Sequence, residues 1–306
     1  GVFTAGCAGG NRTECVIPVA REKFDGTALK VTVNGLRGGH SGEMINRGRA
    51  NSSMLIGRAL DVLDCVCDMR VVSVDGGLKD NAIPVESFAV VVVSDEKKAR
   101  EALEKFGDDL KNEYRTPDPD VTLCVESAAP TVLPMTNADS EKVVTLLTCM
   151  PNGLIELSMD VAGLPQTSLN LGILTTSENE VSASFCVRSS ISSQKEMLKK
   201  RLTRMTALLG GTVSYFGEYP AWEFKSDSPI LKLCADVYEK KFGKKPVITA
   251  IHGGLECGLF SEKMPGLDCV SFGPDIFDIH TPREKLSVSS LNRTWEFLLE
   301  VLKEMK

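Results

Sequence analysis

The sequence predicts an α+β body followed by an α/β ending, and three observations carry that expectation. Between Asp25 and Pro220, strand-like and helix-like segments follow in the order βαββαβ, the split motif of small two-layer sandwiches, and a similar series then runs again. Beyond Pro220 the pattern changes to helix and short apolar strand in alternation, which reads as parallel pairing. A chain of 306 residues with 42% hydrophobic and 25% charged side chains has the apolar material for two domains or one large one.

Val2 to Cys7 (VFTAGC) reads as a strand already under way, and Cys15 to Ala20 is apolar enough for another. Ala28 to Val33 alternates and stops at the turn signal Asn34-Gly35. From Asn46 to Leu63, the residues Met54, Leu55, Ala59, Val62 and Leu63 recur at helical spacing. Met69 to Val74 is a strand that ends at Gly76-Gly77. Ser87 to Ser94, nearly continuous in valine, is a strand central in its sheet. Asp95 to Tyr114 is an amphipathic helix, and Val121 to Glu126 returns as a strand. The second series has Ser140 to Thr148 as helix, then Ile155 to Val161, Gln166 to Thr175 and Glu180 to Arg188 as strands. Ser193 to Leu209 is its long helix and Thr212 to Gly217 its last strand. Pro229 to Phe242 is a helix, Val247 to Ile251 and Leu267 to Phe272 are strands, and Ser289 to Glu304 is a closing helix. No residue-level self-similarity links the two halves.

Composition excludes several classes. The formal charge of −6 offers no electrostatic footprint for nucleic acid or an anionic membrane. No apolar run approaches the roughly 20 residues of a bilayer span. Gly1 to Asn11 has no basic segment leading into an apolar one, so no signal peptide is expected. Ten cysteines are too dilute for a disulfide scaffold and read as reduced thiols of a cytoplasmic protein. The chain opens without methionine, and the expectation is a piece of something longer. Histidine is scarce: His40, His252 and His280 are all there are.

Each histidine sits in a suggestive context. Gly38-Gly39-His40-Ser41-Gly42 lies between a strand and a helix, where small residues let backbone approach a ligand and expose the ring. The plainer alternative is a glycine turn whose histidine caps the helix. In Ala250 to Gly258 (AIHGGLECG) a glycine pair at a strand's carboxyl end matches the ligand-binding edge of an α/β sheet. His252 and Glu256, four apart, would share a helix face. Two residues do not make a metal site, and a structural role for His252 is an equal alternative. His280 follows a strand and precedes Thr281-Pro282, a position open to a metal ligand. Arg188 ends a strand and could clamp a carboxylate bidentately, with a solvated surface arginine as the default. Adjacent His40 and Ser41 are not a nucleophile pair, and no G-x-S-x-G elbow is present. A cysteine hydrolase using Cys257 beside His252 requires a depressed thiol pKa.

Taken in order, GGHSGEMINRGRANSSML, DNAIP, QTSLNLG, VRSS, AIHGGLECGLF and SFGPDIFDIHTPREK span essentially the whole chain. The series resembles the aminoacyl-histidine dipeptidases (Xaa-His, carnosinase-like) of the two-metal aminoacylase and carboxypeptidase superfamily. The resemblance implies a partial two-metal exopeptidase catalytic domain of α/β type, interrupted by a two-halved βαββαβ-type lid domain. On that reading residues 1–24 end the first part of the catalytic domain and 25–220 form the lid, with halves of about 25–128 and 129–220. Residues 221–306 are then the C-terminal catalytic part.

By the same resemblance His40 is the lid histidine that stabilises the oxyanion, and His280 is a metal ligand. Asn81, Asn170, Arg188, Gly253 and Gly254 fall at substrate-binding positions, the arginine on the C-terminal carboxylate. Glu256 and His252 match the pattern without an assigned role. The implied activity is metal-dependent hydrolysis of Xaa-His dipeptides with two divalent ions, zinc first and cobalt or manganese as alternatives. No nucleic acid or membrane partner is implied; a homodimer, with His40 acting in cis or across it, is open.

The family's other metal ligands and its general-base carboxylate would precede residue 1. The expectation for this chain is therefore an inactive fragment binding no metal, since one imidazole does not hold zinc in a defined geometry. The alternative is a non-catalytic lid or dimerisation module, or a truncated protein completed by another chain. The lid is expected to be the stably folded part. The C-terminal part is expected to be poorly ordered, rearranged or completed by another chain, with an exposed apolar edge and face.

Overall fold

The computed structural model describes every residue except His280 and Lys306. Its first elements are β1 (Val2–Cys7), β2 (Gly9–Pro18), β3 (Thr27–Asn34), β4 (Gly39–His40), α1 (Ser52–Asp64), β5 (Met69–Gly76), β6 (Ala82–Ile83), β7 (Ser87–Val93), α2 (Glu96–Glu113) and β8 (Thr122–Ser127). There follow α3 (Asn137–Cys149), β9 (Gly153–Leu157), β10 (Pro165–Thr176), β11 (Glu180–Ser189), α4 (Ser192–Leu208) and β12 (Thr212–Tyr219). The chain ends with α5 (Pro229–Phe242), β13 (Val247–Ile251), α6 (Glu256–Lys263), β14 (Ile276–Phe277), β15 (Lys285–Leu286) and α7 (Val288–Glu304).

Alternation decides which face each strand buries. Leu29, Val31 and Val33 of β3 are fully buried, while Lys30 and Thr32 between them are not. Nine strands form one sheet in the order β12-β2-β11-β10-β5-β7-β3-β8, with β9 paired to β10. All its pairings are antiparallel. The valine-rich β7 lies between β5 and β3, inside the sheet as its composition predicts. The sheet consists of two four-stranded units with the same order, β8-β3-β7-β5 and β12-β2-β11-β10. They join through one pair, Leu174 of β10 opposite Gly76 of β5.

Each unit is a βαββαβ sandwich, yet the two are nested in sequence rather than consecutive. The second unit takes its first strand, β2, from before the first unit, which is inserted between β2 and α3. The sheet therefore begins at Gly9, within the 1–24 span that the resemblance placed outside the lid. One core under the helices unites both units, through Leu60 and Leu63 of α1, Leu103 of α2, Leu147 of α3, Leu198 of α4 and the inward side chains of the sheet.

A second, separate core holds the ends of the chain together. Strands β1 and β13 pair in parallel, and Phe3 of β1 meets Tyr238 of α5 and Phe297 of α7 at ring distances of 5.5 and 5.4 Å. The described residues of 221–306 thus form helices and strands around this aromatic cluster. Their apolar surface is nonetheless exposed, at Val247, Phe260 and Phe277 and along α7 at Val288, Leu291, Trp295, Leu299 and Leu302.

Strand β2 starts earlier than expected, at Gly9, β9 ends earlier, at Leu157, and two further elements change in kind or extent. Helix α1 starts at Ser52, not Asn46, because Gly48 takes a left-handed φ of 71° and Asn51 caps the helix by accepting from the amides of Ser53 and Met54. Leu267 to Phe272 is not a strand. Closed in by Gly266 and by Gly273-Pro274, it makes a single antiparallel bridge, Ser271 to Thr4.

Candidate active site

Along β11 the side chains of Val181, Ala183, Phe185 and Val187 enter the helix-covered core. Cys186 and Arg188 consequently point to the other face of the sheet, and the antiparallel register extends that alternation sideways. Ser168 of β10, Arg188 of β11, Gly10 of β2 and Tyr219 of β12 form one row across four strands. Arg188 is 7% exposed and donates from Nη1 to the Tyr219 hydroxyl at 3.0 Å. Gly10 makes this possible, because a Cβ there would lie 2.5 Å from the phenolic oxygen. Buried Lys195 of α4 anchors the end of β12, with its Nζ 3.0 Å from Glu218 and 3.3 Å from the Tyr219 carbonyl. Burial raises the Tyr219 phenol pKa, and the neighbouring Arg188 charge opposes the rise.

His252 descends onto this row from the turn after β13. Its Nε2 is 2.7 Å from the Ser168 hydroxyl, and the residue is 5% exposed. Burial first and the Arg188 charge second lower its pKa to about 3, against the opposing pull of the nearby Pro165 carbonyl, which favours a charged ring. The ring is neutral at physiological pH. Two glycines admit the turn: a Cβ on Gly42 would meet the His252 carbonyl at 2.8 Å, and one on Gly254 would meet the Tyr219 ring at the same distance. Helix α6 begins only at Glu256, so His252 precedes it and the two residues do not share a helix face.

The remaining motifs join at the β4–β6 ladder. His40 pairs with Ala82, Gly39 pairs with Ile83, and the Ser41 amide donates to the Asn81 carbonyl at 2.9 Å. Asn170, 1% exposed, donates from Nδ2 to the carbonyls of Asp80 and Ala82 and accepts from Asn51, so it clamps the backbone on either side of Asn81. The His40 Nδ1 accepts from the Gly42 amide at 3.3 Å, which leaves the hydrogen of the neutral ring on Nε2. Burial and then Arg188 lower the His40 pKa, with Glu43 opposing. Gly253 has open space around its α-carbon beyond the Ile251 side chain.

Three buried polar atoms here have no hydrogen-bond partner among the described residues: Arg188 Nε, His252 Nδ1 and Ser41 Oγ. His280 lies outside the described residues. Among the described residues, no group of three or more His, Cys, Asp or Glu side chains is placed to hold a metal ion. The Cys257 thiol is pushed up to about 11, by burial first and by Cys269, Cys7 and Glu256 besides, which is the wrong direction for a cysteine nucleophile. All ten cysteines are unpaired.

The motifs that stand far apart in the sequence thus converge on one face. The model of "Peptidase family M20/M25/M40" matches residues 70–304. The chain belongs to this peptidase family. It is 34% identical over 309 aligned residues to the cytosol non-specific dipeptidase of Escherichia coli K12, covering all of this chain and 64% of that protein. The crystal structure of aminoacylhistidine dipeptidase from Vibrio alginolyticus superposes with a TM-score of 0.93 at 35% identity, covering all of this chain and 63% of that one. The chain therefore spans a little under two thirds of the relatives it matches.

Of the residues singled out in the sequence, the fold brings together His40, Asn81, Asn170 and Arg188, with the Gly253-Gly254 turn reaching them through His252 and Tyr219. Sequence reasoning missed Tyr219, Ser168 and Gly10. Period-two alternation from Asn170 points to Ser168, and a glycine inside a strand points to Gly10. Nothing local marks Tyr219.

Proposed function

We propose that the protein carrying this span is a metal-dependent dipeptidase acting on Xaa-His dipeptides. The observation that carries the reading is Arg188, a guanidinium buried on the sheet face with its Nε–H unpartnered and its charge felt by the histidines of two other motifs, His40 and His252. In this reading it takes the C-terminal carboxylate of a short peptide. The neutral His40 offers an Nε2–H to the oxyanion that develops at the scissile carbonyl. Asn170 acts by fixing the backbone at Asn81, whose side chain then meets the substrate, and Gly253-Gly254 brings backbone to the same place.

Two divalent ions, zinc first in our reading, would supply Lewis-acid polarisation of the carbonyl and an activated water when bound. The described residues do not assemble a ligand set for them, and His280 lies outside those residues. We further propose that this span alone binds peptide without hydrolysing it, because the one imidazole that the resemblance makes a ligand does not hold zinc in a defined geometry. The lid is the nine-stranded sheet with its four helices, and the catalytic part is β1 with residues 221–306. The relative's cytosolic name and the reduced thiols support a cytoplasmic setting. No helix among the described residues is long and apolar enough to cross a membrane.

The test is hydrolysis of Xaa-His dipeptides with zinc, cobalt or manganese, by this chain and by a protein of the relatives' full length. The longer protein is expected to cleave them, with Arg188→Met raising KM far more than it lowers kcat. Turnover by this chain above its His280→Ala variant would overturn the binding-only reading. No cleavage by the longer protein with any of the three metals would overturn the dipeptidase reading.

A further inference from the structure

The Arg188 row holds more donors than its internal contacts use. Arg188 spends Nη1 on Tyr219, and its Nε–H is buried without an acceptor. His252 spends Nε2 on Ser168, and its Nδ1 is likewise buried with no acceptor in hydrogen-bonding geometry, the Pro165 carbonyl being the nearby backbone group. Both side chains are more than nine-tenths buried. They come from different elements, β11 and the turn after β13, and meet over the same residue, Ser168, which is opposite Arg188 in the β10–β11 register. A buried donor without an acceptor costs free energy, and two in one place mark a group that is to be supplied from outside.

We infer that His252 is a second substrate-binding residue, which with Arg188 grips the C-terminal carboxylate of the peptide in a two-sided clamp. The inference rests on the proposed dipeptidase reading. One carboxylate oxygen accepts from Arg188 Nε–H and the other from His252 Nδ1–H. In this clamp the Ser168 hydroxyl, 2.7 Å from Nε2, acts as the donor, which leaves the ring hydrogen on Nδ1. Depression of the His252 pKa keeps the ring a neutral donor, so the clamp carries one positive charge for one negative charge. Tyr219 and Lys195 are positioning residues: the phenol holds the guanidinium, and the ammonium holds the end of β12. Because the two donor atoms are shut from solvent, the carboxylate enters as the 252–254 turn lifts from the sheet, where Gly253 has open space.

The test separates His252 from a merely structural histidine. In the full-length enzyme, kcat and KM are measured for one Xaa-His dipeptide and for the same dipeptide with a C-terminal amide. His252→Leu is expected to raise KM for the free acid about tenfold to a hundredfold, the range for a lost hydrogen bond to a charge, with kcat changed far less. The amide's KM should move little. His252→Asn, whose Nδ2–H stands near the Nδ1 position, should restore most of the acid-over-amide preference, and His252→Gln should not. Equal losses on acid and amide, or an unchanged preference in His252→Leu, would overturn the inference. A binding measurement keeps it testable should the enzyme cleave neither peptide. Titration of this chain with N-acetylhistidine is expected to shift the imidazole ¹⁵N resonances of His252, and N-acetylhistidine amide is not. An unshifted His252 with N-acetylhistidine, or equal shifts with the two, would overturn the clamp without reference to hydrolysis.

Discussion

Acid should unlock the contact between His252 and the sheet before it affects most of the fold. An imidazole in the unfolded chain titrates at 6.5, and burial beside Arg188 lowers it to about 3 in the folded chain. The unfolded state therefore takes up a proton between these values while the folded state does not, so stability is present above pH 6.5 and is lost as pH falls towards 3. At pH 5 the two states differ by about 1.5 proton-binding units on a logarithmic scale, which is about 2 kcal/mol of stability lost relative to pH 7. Loss continues to a ceiling of about 4–5 kcal/mol near pH 3. The variant His252→Gln keeps a polar group for Ser168 and cannot titrate. Urea unfolding of both proteins at pH 7 and pH 5 gives a double difference in which the carboxylates and His40 cancel. Wild type should lose about 2 kcal/mol more than the variant between the two pH values. A double difference below about 0.5 kcal/mol, the scatter of additivity, would refute the burial argument.

Gly10→Ala should destabilise the protein by about 1–3 kcal/mol in thermal unfolding, since its Cβ would displace the Tyr219 hydroxyl from Arg188; an unchanged melting temperature would contradict the cross-strand packing. Iodoacetamide at pH 7.4 should label the exposed Cys65, Cys124 and Cys149 well before Cys257, whose thiol is held near 11; intact-mass and peptide mapping reads the order, and early labelling of Cys257 would revive a nucleophilic role. Val288, Leu291, Trp295, Leu299 and Leu302 form an exposed apolar stripe on α7, so this chain should enhance anilinonaphthalene sulfonate fluorescence, and Trp295→Lys with Leu302→Lys should reduce it. Equal dye binding by parent and double variant would place the apolar surface elsewhere.

What could be read from the sequence followed how local its cause was. Helix α5 runs over the predicted Pro229 to Phe242 because both ends are written in neighbouring residues: Ser228 caps the start, Pro229 suits the first turn, and Gly243 takes the left-handed φ of 68° that stops it. Each βαββαβ unit is similarly legible from period-two and helical spacing. The nesting of the units is not, because β2 joins its partners β11 and β12 across the whole inserted first unit, and no local signal in Gly9–Pro18 names a distant strand. The site divides along the same line. His40, Arg188 and His252 stand in short motifs and are visible one at a time. Their meeting depends on register: a one-residue slip of β10 against β11 would turn Ser168 or Arg188 to the helix-covered face and undo the row. Gly10 is the residue in which this information is most nearly local. A glycine in mid-sheet has no packing reason of its own, and here its missing side chain is the space through which Tyr219 reaches Arg188. A strand glycine directly opposite a buried arginine is therefore a stronger pointer to a binding face than the arginine alone, whose default reading is solvent.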